Sequence, residues 1–146
     1  MTTTMDRPGW LGLLAASEPA ELVEAVGSRI DSQTFTVLRA AHTGLVMARG
    51  RIGGTGARFN LVEVTVSRCV VRSALRTAGV GYAIGHDLAK VELIAKLDAL
   101  LQVPQWHAVL EQPVLAVLRD ARSRRHAADR AAAESSRVRF HELVVA

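Results

Sequence analysis

The residues best suited to chemistry are Arg49-Gly50-Arg51-Ile52-Gly53-Gly54-Thr55-Gly56-Ala57-Arg58-Phe59-Asn60. Gly53, Gly54, Thr55 and Gly56 fall between two strand-like runs, with arginines on both sides. Glycine has no Cβ, so such a loop can turn sharply and aim backbone N–H groups at one place. Arg49, Arg51 and Arg58 offer planar forks that suit phosphate, phosphonate or carboxylate. The loop therefore faces an anion, or it is a tight loop fitted into a partner. It is not a Walker A loop, because no Gly-Lys-Ser/Thr follows. Nor is it a dinucleotide fingerprint, since the spacing differs and a strand follows where a helix is needed.

Other residue types are less pointed. Arg68 and Arg72 continue the face of Val62, Val64 and Val66, so each needs a carboxylate, a ligand or a wet edge. Asp98 falls on the same helical side as Val91, Ile94 and Leu101; a local salt bridge or partner contact is the simplest role. His42, His86, His107, His126 and His141 are scattered, with no H-x-x-x-H or H-x-H pair, so no metal ligand set is expected. Cys69 is the only cysteine, which excludes an intrachain disulfide and reads as a small core residue. No nucleophile–base pair and no carboxylate pair stands out by spacing, so the chain shows no active site of its own.

These residues must be positioned by elements of two periods. Asp6 caps a short helix that carries Pro8, Trp10, Leu11, Leu13 and Leu14. Ser17-Glu18-Pro19 starts a second, with Leu22, Val23 and Val26 apolar and Gly27 as its stop. The middle alternates with period two. Phe35 to Ala41 reads as a strand, His42-Thr43-Gly44 as a turn, and Leu45 to Ile52 as the return strand. After the glycine loop, Val62, Val64 and Val66 alternate with Glu63, Thr65 and Ser67. That strand runs towards Arg72, turns at Arg76-Thr77-Ala78-Gly79 and returns as Val80 to Ile84.

Asp87 caps a helix with Leu93, Leu97, Leu100 and Leu101 in a stripe down to Pro104. Pro113 opens a longer helix to about Glu134. Its (i, i+4) pairs are Asp120–Arg124, Arg125–Asp129 and Arg130–Glu134. Arg137 to Val145 reads as a last strand. In it, Leu143, Val144 and Val145 are consecutive, so both faces are apolar, and with Phe140 they form an expected partner interface. The order is segregated α+β: N-terminal helices, an antiparallel meander of about four strands, two C-terminal helices and a final strand, as one domain over 1–146.

Bulk properties agree. The 146 residues suit a domain with a real core, and 49% are apolar. No apolar run reaches the roughly 18–20 residues of a membrane helix, and no secretory leader is visible, so a cytoplasmic protein is expected. The net charge of +4 favours acidic partners or anionic ligands. The few aromatics do not interleave with the arginines, so nucleic-acid binding is not expected.

The spaced residues Arg49-x-Arg51-x-Gly53-Gly54-Thr55-Gly56-x-x-Phe59-Asn60-x-x-Glu63-x-Thr65-x-x-Arg68-Cys69-x-Val71-Arg72 resemble the PhnG family, small subunits of the bacterial carbon–phosphorus lyase system. So do Gly81-Tyr82-x-x-Gly85-x-Asp87, Asp98-Ala99-Leu100-Leu101 and Arg137-Val138-x-Phe140. The likeness covers almost the whole chain. It departs at Gly85-His86-Asp87, where the family usually has Gly-Arg-Asp, so a fixed cation gives way to one that is mostly neutral at pH 7. The resemblance implies a subunit of the core complex with PhnI, PhnH and PhnJ, with PhnK and PhnL associated. That assembly transfers methylphosphonate to C1′ of MgATP with release of adenine, giving alpha-D-ribose 1-methylphosphonate 5-triphosphate. The resemblance attributes the chemistry mainly to PhnI, implies that MgATP is a substrate of the complex, and implies no cofactor bound by this chain alone. The alternative, from residue types, is a free-standing anion- or nucleotide-binding module.

Overall fold

The computed structural model describes residues 5–138. The helices α1 (Arg7–Ala16) and α2 (Pro19–Val26) come first, then the strands β1 (Phe35–Arg51), β2 (Arg58–Ser73) and β3 (Ala78–Ile84). The helices α3 (Leu88–Leu101), α4 (Pro104–Leu110) and α5 (Val117–Ser135) follow. The α+β class is as expected. The sheet has three antiparallel strands in the order β1-β2-β3, not about four.

The difference lies at His42-Thr43-Gly44, which continues β1 and does not turn. These residues pair with Arg68, Ser67 and Val66. Extra residues enter β1 between Val37 and Arg39 and between Arg39 and His42, so the strand bends through bulges without reversing. A Cβ at Gly44 would lie 3.2 Å from Nη2 of Arg68, so the guanidinium would have to give by a few tenths of an ångström.

A second correction concerns Pro113. The chain re-enters helix at Pro104, and Pro113 sits in a π-helical turn (Glu111–Ala116) that joins α4 to α5. Proline cannot donate and its ring crowds the preceding turn, and a π turn absorbs both. Glu111 clasps this joint, accepting from His107 Nε2 at 3.1 Å and from Arg119 Nη2 at 3.1 Å. The three anticipated (i, i+4) pairs are not among the ion pairs of the described residues. Arg125 instead reaches across to Glu21 of α2 and donates to the Ala16 carbonyl at 3.2 Å. The segment proposed as a last strand mostly lies outside the described residues; Arg137 and Val138 are irregular.

Several sequence signals are borne out. Asp6 accepts from Gly9 N at 3.0 Å and Asp87 from Lys90 N at 2.9 Å, capping α1 and α3. Gly27 ends α2 with φ at +50°. The core gathers Leu14, Leu22, Val71, Ile94, Leu97 and Leu110 among others, with α3 at its centre. There α3 lies directly on the backbone of β3. A Cβ on Gly79 would stand 1.9 Å from the Ala95 carbonyl oxygen, and one on Gly81 would stand 1.8 Å from that of Val91.

Asp98 of α3, fully buried, locks this contact. It accepts Nε (3.1 Å) and Nη2 (2.7 Å) of Arg7, Nε1 of Trp10 (2.9 Å) and the backbone N of Val80 (2.9 Å). The hydrogen bond from Asp98 is the main reason the Arg7 pKa is raised. Replacing Asp98 by Ala strands the buried donors of Trp10 and Val80, and is expected to cost about 3–5 kcal/mol in chemical denaturation. Arg7→Met is expected to cost less, because the Arg7 side chain is 43% exposed and the carboxylate keeps its other donors.

The Arg125 hydrogen bond likewise lowers the Glu21 pKa. A carboxyl depressed in the folded state stabilises above its ordinary pKa and loses that effect as pH falls through the folded one. Wild type and Glu21→Gln should therefore differ in melting temperature at neutral pH and converge in acid; a gap unchanged down to strongly acidic pH would contradict the pair.

Candidate functional site

β3 pairs only with Val66–Arg72 of β2. Beyond that point β1 and β2 continue alone, from Leu45↔Thr65 out to Arg51↔Arg58, as a projecting two-stranded arm. A two-stranded ribbon without a supporting layer is marginal in water. This one also exposes apolar side chains on both faces: Leu45, Met47 and Leu61 are exposed, as are Val62, Phe59 and Ile52.

The glycine loop is the tip of the arm. Gly53 and Gly54 have φ of +60° and +77°, and nothing lies within 4 Å of where their Cβ atoms would be. They are required by backbone conformation, not by crowding. Gly56 differs, because its Cβ would meet the Ile52 carbonyl at 2.8 Å. Gly56 N donates to that carbonyl at 3.0 Å, and Arg51 Nη1 donates to the Gly56 carbonyl at 3.1 Å, so the turn is closed from both sides. Thr55 follows the one-turn 3-10 segment over Ile52–Gly54.

Arg51 stands opposite Arg58, and Arg49 is two residues along on the same face by strand alternation. With Gly50 they line an open concavity of about 400 Å³. Like charges directly opposed on a sheet repel. The ion pairs of the described residues all fall elsewhere, so the tip carries concentrated, uncompensated positive charge.

The candidate arginines fall in two separate places. Arg49, Arg51 and Arg58 meet at the tip, with Gly53, Gly54, Thr55 and Gly56. Arg68 and Arg72 lie at the other end of β2, pairing with Tyr82 and Ala78 of β3. Nor is theirs the core face. In the sheet proper Ser67, Cys69, Val71 and Ser73 of β2 are buried and face α3, whereas Arg68 and Arg72 alternate, with the buried Val66, onto the side where the described residues place no helix. The valine alternation is real, but the helices cover the opposite set. Cys69 is buried as expected, its Sγ 3.5 Å from the Arg39 carbonyl, and burial raises its thiol pKa. His86 is exposed. Phe140, Leu143, Val144 and Val145 lie outside the described residues.

One polar cluster escaped the sequence reading. His107, Glu111 and Arg119 form a chain beside Trp10, whose ring meets that of His107 edge-on at 5.2 Å. Of these, His107, Glu111 and Trp10 border a cavity of about 500 Å³ that Leu101, Gln102 and Pro104 also line. The (i, i+4) spacing of His107 and Glu111 was the available signal. Nδ1 of His107 faces the Leu101 carbonyl at 3.2 Å and Nε2 faces Glu111, so neither nitrogen is free to take a substrate proton. The cluster clasps helices together and is not a catalytic dyad.

The described residues present a projecting arm with a basic tip. The comparisons decide the family. The family model for the phosphonate metabolism protein PhnG matches residues 5–145. The chain belongs to the PhnG family. It is 40% identical over 134 residues to a Rhizobium meliloti (strain 1021) protein, the alpha-D-ribose 1-methylphosphonate 5-triphosphate synthase subunit PhnG, covering 90% of this chain and 84% of that one.

The tip geometry is directly testable. Gly54→Val places a β-branched residue at positive φ, but nothing else rests on the tip. The global unfolding free energy is expected to stay within about 0.5 kcal/mol of wild type, while amide exchange across residues 50–58 accelerates. Exchange unchanged at the tip would show that the loop does not need its glycine.

Proposed function

We propose that this PhnG-family chain is a subunit of a synthase that makes alpha-D-ribose 1-methylphosphonate 5-triphosphate in phosphonate catabolism, and that it positions partner subunits without bearing the reacting groups. The relative's name and the family match support the subunit role. The observation that carries the positioning role is the arm, which exposes apolar side chains on both faces that no layer among the described residues covers. A stable ribbon of this composition needs a protein surface around it.

The partners proposed are PhnI, PhnH and PhnJ subunits, with PhnK and PhnL associated, in the cytoplasm. MgATP enters as a substrate of the complex. Arg49, Arg51 and Arg58 then meet acidic groups of a partner, and the apolar segment with Phe140, Leu143, Val144 and Val145 supplies a second contact on its sequence pattern. The unneutralised tip favours one other reading, a free-standing anion-binding module.

Two measurements separate these readings. Incubated alone with MgATP and methylphosphonate, the chain is expected to show no turnover by phosphorus NMR; turnover would overturn the positioning role. Excising residues 45–64, so that Gly44 and Thr65 are joined by a tight turn, leaves the core residues in place. The shortened chain should keep its far-ultraviolet circular dichroism per residue and its unfolding transition, yet fail to co-purify with the PhnI subunit. Normal co-purification would move the interface elsewhere.

A further inference from the structure

The helix-free side of the sheet, next to the arm, has its own unbalanced chemistry. By register it displays Arg39, His42, Arg68 and Arg72 and no carboxylate. Its centre is Arg68. The Nε of Arg68 and the Nε2 of His42, which pairs with it across the strands, are both buried, and neither has a hydrogen-bond partner among the described residues. Gly44 leaves the space into which the Arg68 guanidinium extends. Around this centre the face is apolar: Val66 is buried beneath it, and Tyr82 (43% exposed) and Ile84 (79% exposed) flank it on β3.

The unpaired buried donor here is Arg68 Nε, which is costly to leave without a partner. His42 Nδ1 faces the Ala40 carbonyl at 3.0 Å, so its Nε2 is the lone-pair nitrogen of the neutral ring and donates only when the ring is protonated. A polar ligand in water would be held by a concave site with several polar groups. This face is instead an extended strand surface, with an arginine and a tyrosine directly opposed and aliphatic neighbours. That is the composition of the centre of a protein–protein contact, where Arg and Tyr dominate.

We infer that the open face of the β1–β2–β3 sheet is an interface for a partner subunit, and that Arg68 with His42 receives an aspartate or glutamate side chain of that partner. The carboxylate accepts from the Arg68 guanidinium, with the protonated form of His42 as a second donor, and apolar residues around it pack on Tyr82 and Ile84. This rests on the assembly reading above and extends the contact from the arm to the body of the sheet.

The test is competition within the complex. Wild-type chain and a variant are co-expressed with tagged PhnI, PhnH and PhnJ subunits, and their ratio in the purified complex is normalised to their ratio in the soluble lysate. Arg68→Met keeps the stem and removes the fork. It is expected to be depleted roughly 30-fold or more, the equivalent of about 2 kcal/mol. Arg68→Lys, which keeps the charge, should be depleted less. Ile84→Asp, at a site too exposed to unfold the chain, should also be excluded.

A purely structural Arg68 would make the opposite mark on the free chain. Removing an unpaired buried donor should leave the melting temperature of Arg68→Met unchanged or raised. A fall in melting temperature that accounts for the depletion overturns the inference. So does entry of Arg68→Met or Ile84→Asp at the wild-type ratio. If the wild-type chain itself is not captured, the assembly reading fails first.

Discussion

The Asp98 carboxylate is the interaction on which the rest of the molecule depends. It is fully buried, and it gathers donors from α1, from β3 and from the next turn of its own helix. No apolar residue could replace it, because the amide of Val80 and the indole of Trp10 would then be left dry and unpaired. The glycines of β3 make the same contact possible from the other side. Only at Gly79 and Gly81 can the helix backbone approach so near. Sheet and helices are thus registered by one charge and two missing side chains. The open face and the arm inherit their position from that registration.

The same residues also settle what the free edge of the sheet can do. Val80 N and the Ala78 carbonyl point away from β2, and they are taken by Asp98 and by Gln102 Nε2 at 2.9 and 2.7 Å. With these two groups taken within the chain, this part of the edge is a poor template for another strand. The β1 edge is interrupted by its bulges. This agrees with the proposal that partners use the open face of the sheet and the arm.

Much of this was legible in the sequence where local chemistry decides. Asp6, Asp87 and Gly27 mark helix ends by capping, which needs no tertiary context. Asp98 falls on the apolar side of its helix, and its burial with Arg7 is the simplest resolution of that placement. What was not legible depends on distant packing. Alternation shows that Val62, Val64 and Val66 share a face, but not which face the helices will cover. His42-Thr43-Gly44 has turn composition, yet cross-strand pairing keeps it extended, and the Arg68 guanidinium lies close beside its glycine. Pro113 looks like a helix start because a π turn leaves no residue pattern of its own. The arginines of the glycine loop were grouped correctly at the tip. Arg68 and Arg72 do share a face with Val66, as alternation suggests, but it is the side of the sheet away from α3 and far from the tip.

The arm also bears on the life of a copy that has not yet met its partners. Its pairing is local, so it forms early and reopens readily, and each opening presents valine- and leucine-rich strand to the surrounding solution. Such segments are what quality-control proteases and self-association select. The geometry that suits the chain for assembly therefore ties its persistence to the supply of the other subunits. On the proposed assembly, surplus copies would be the ones removed, through the instability of an unclasped ribbon.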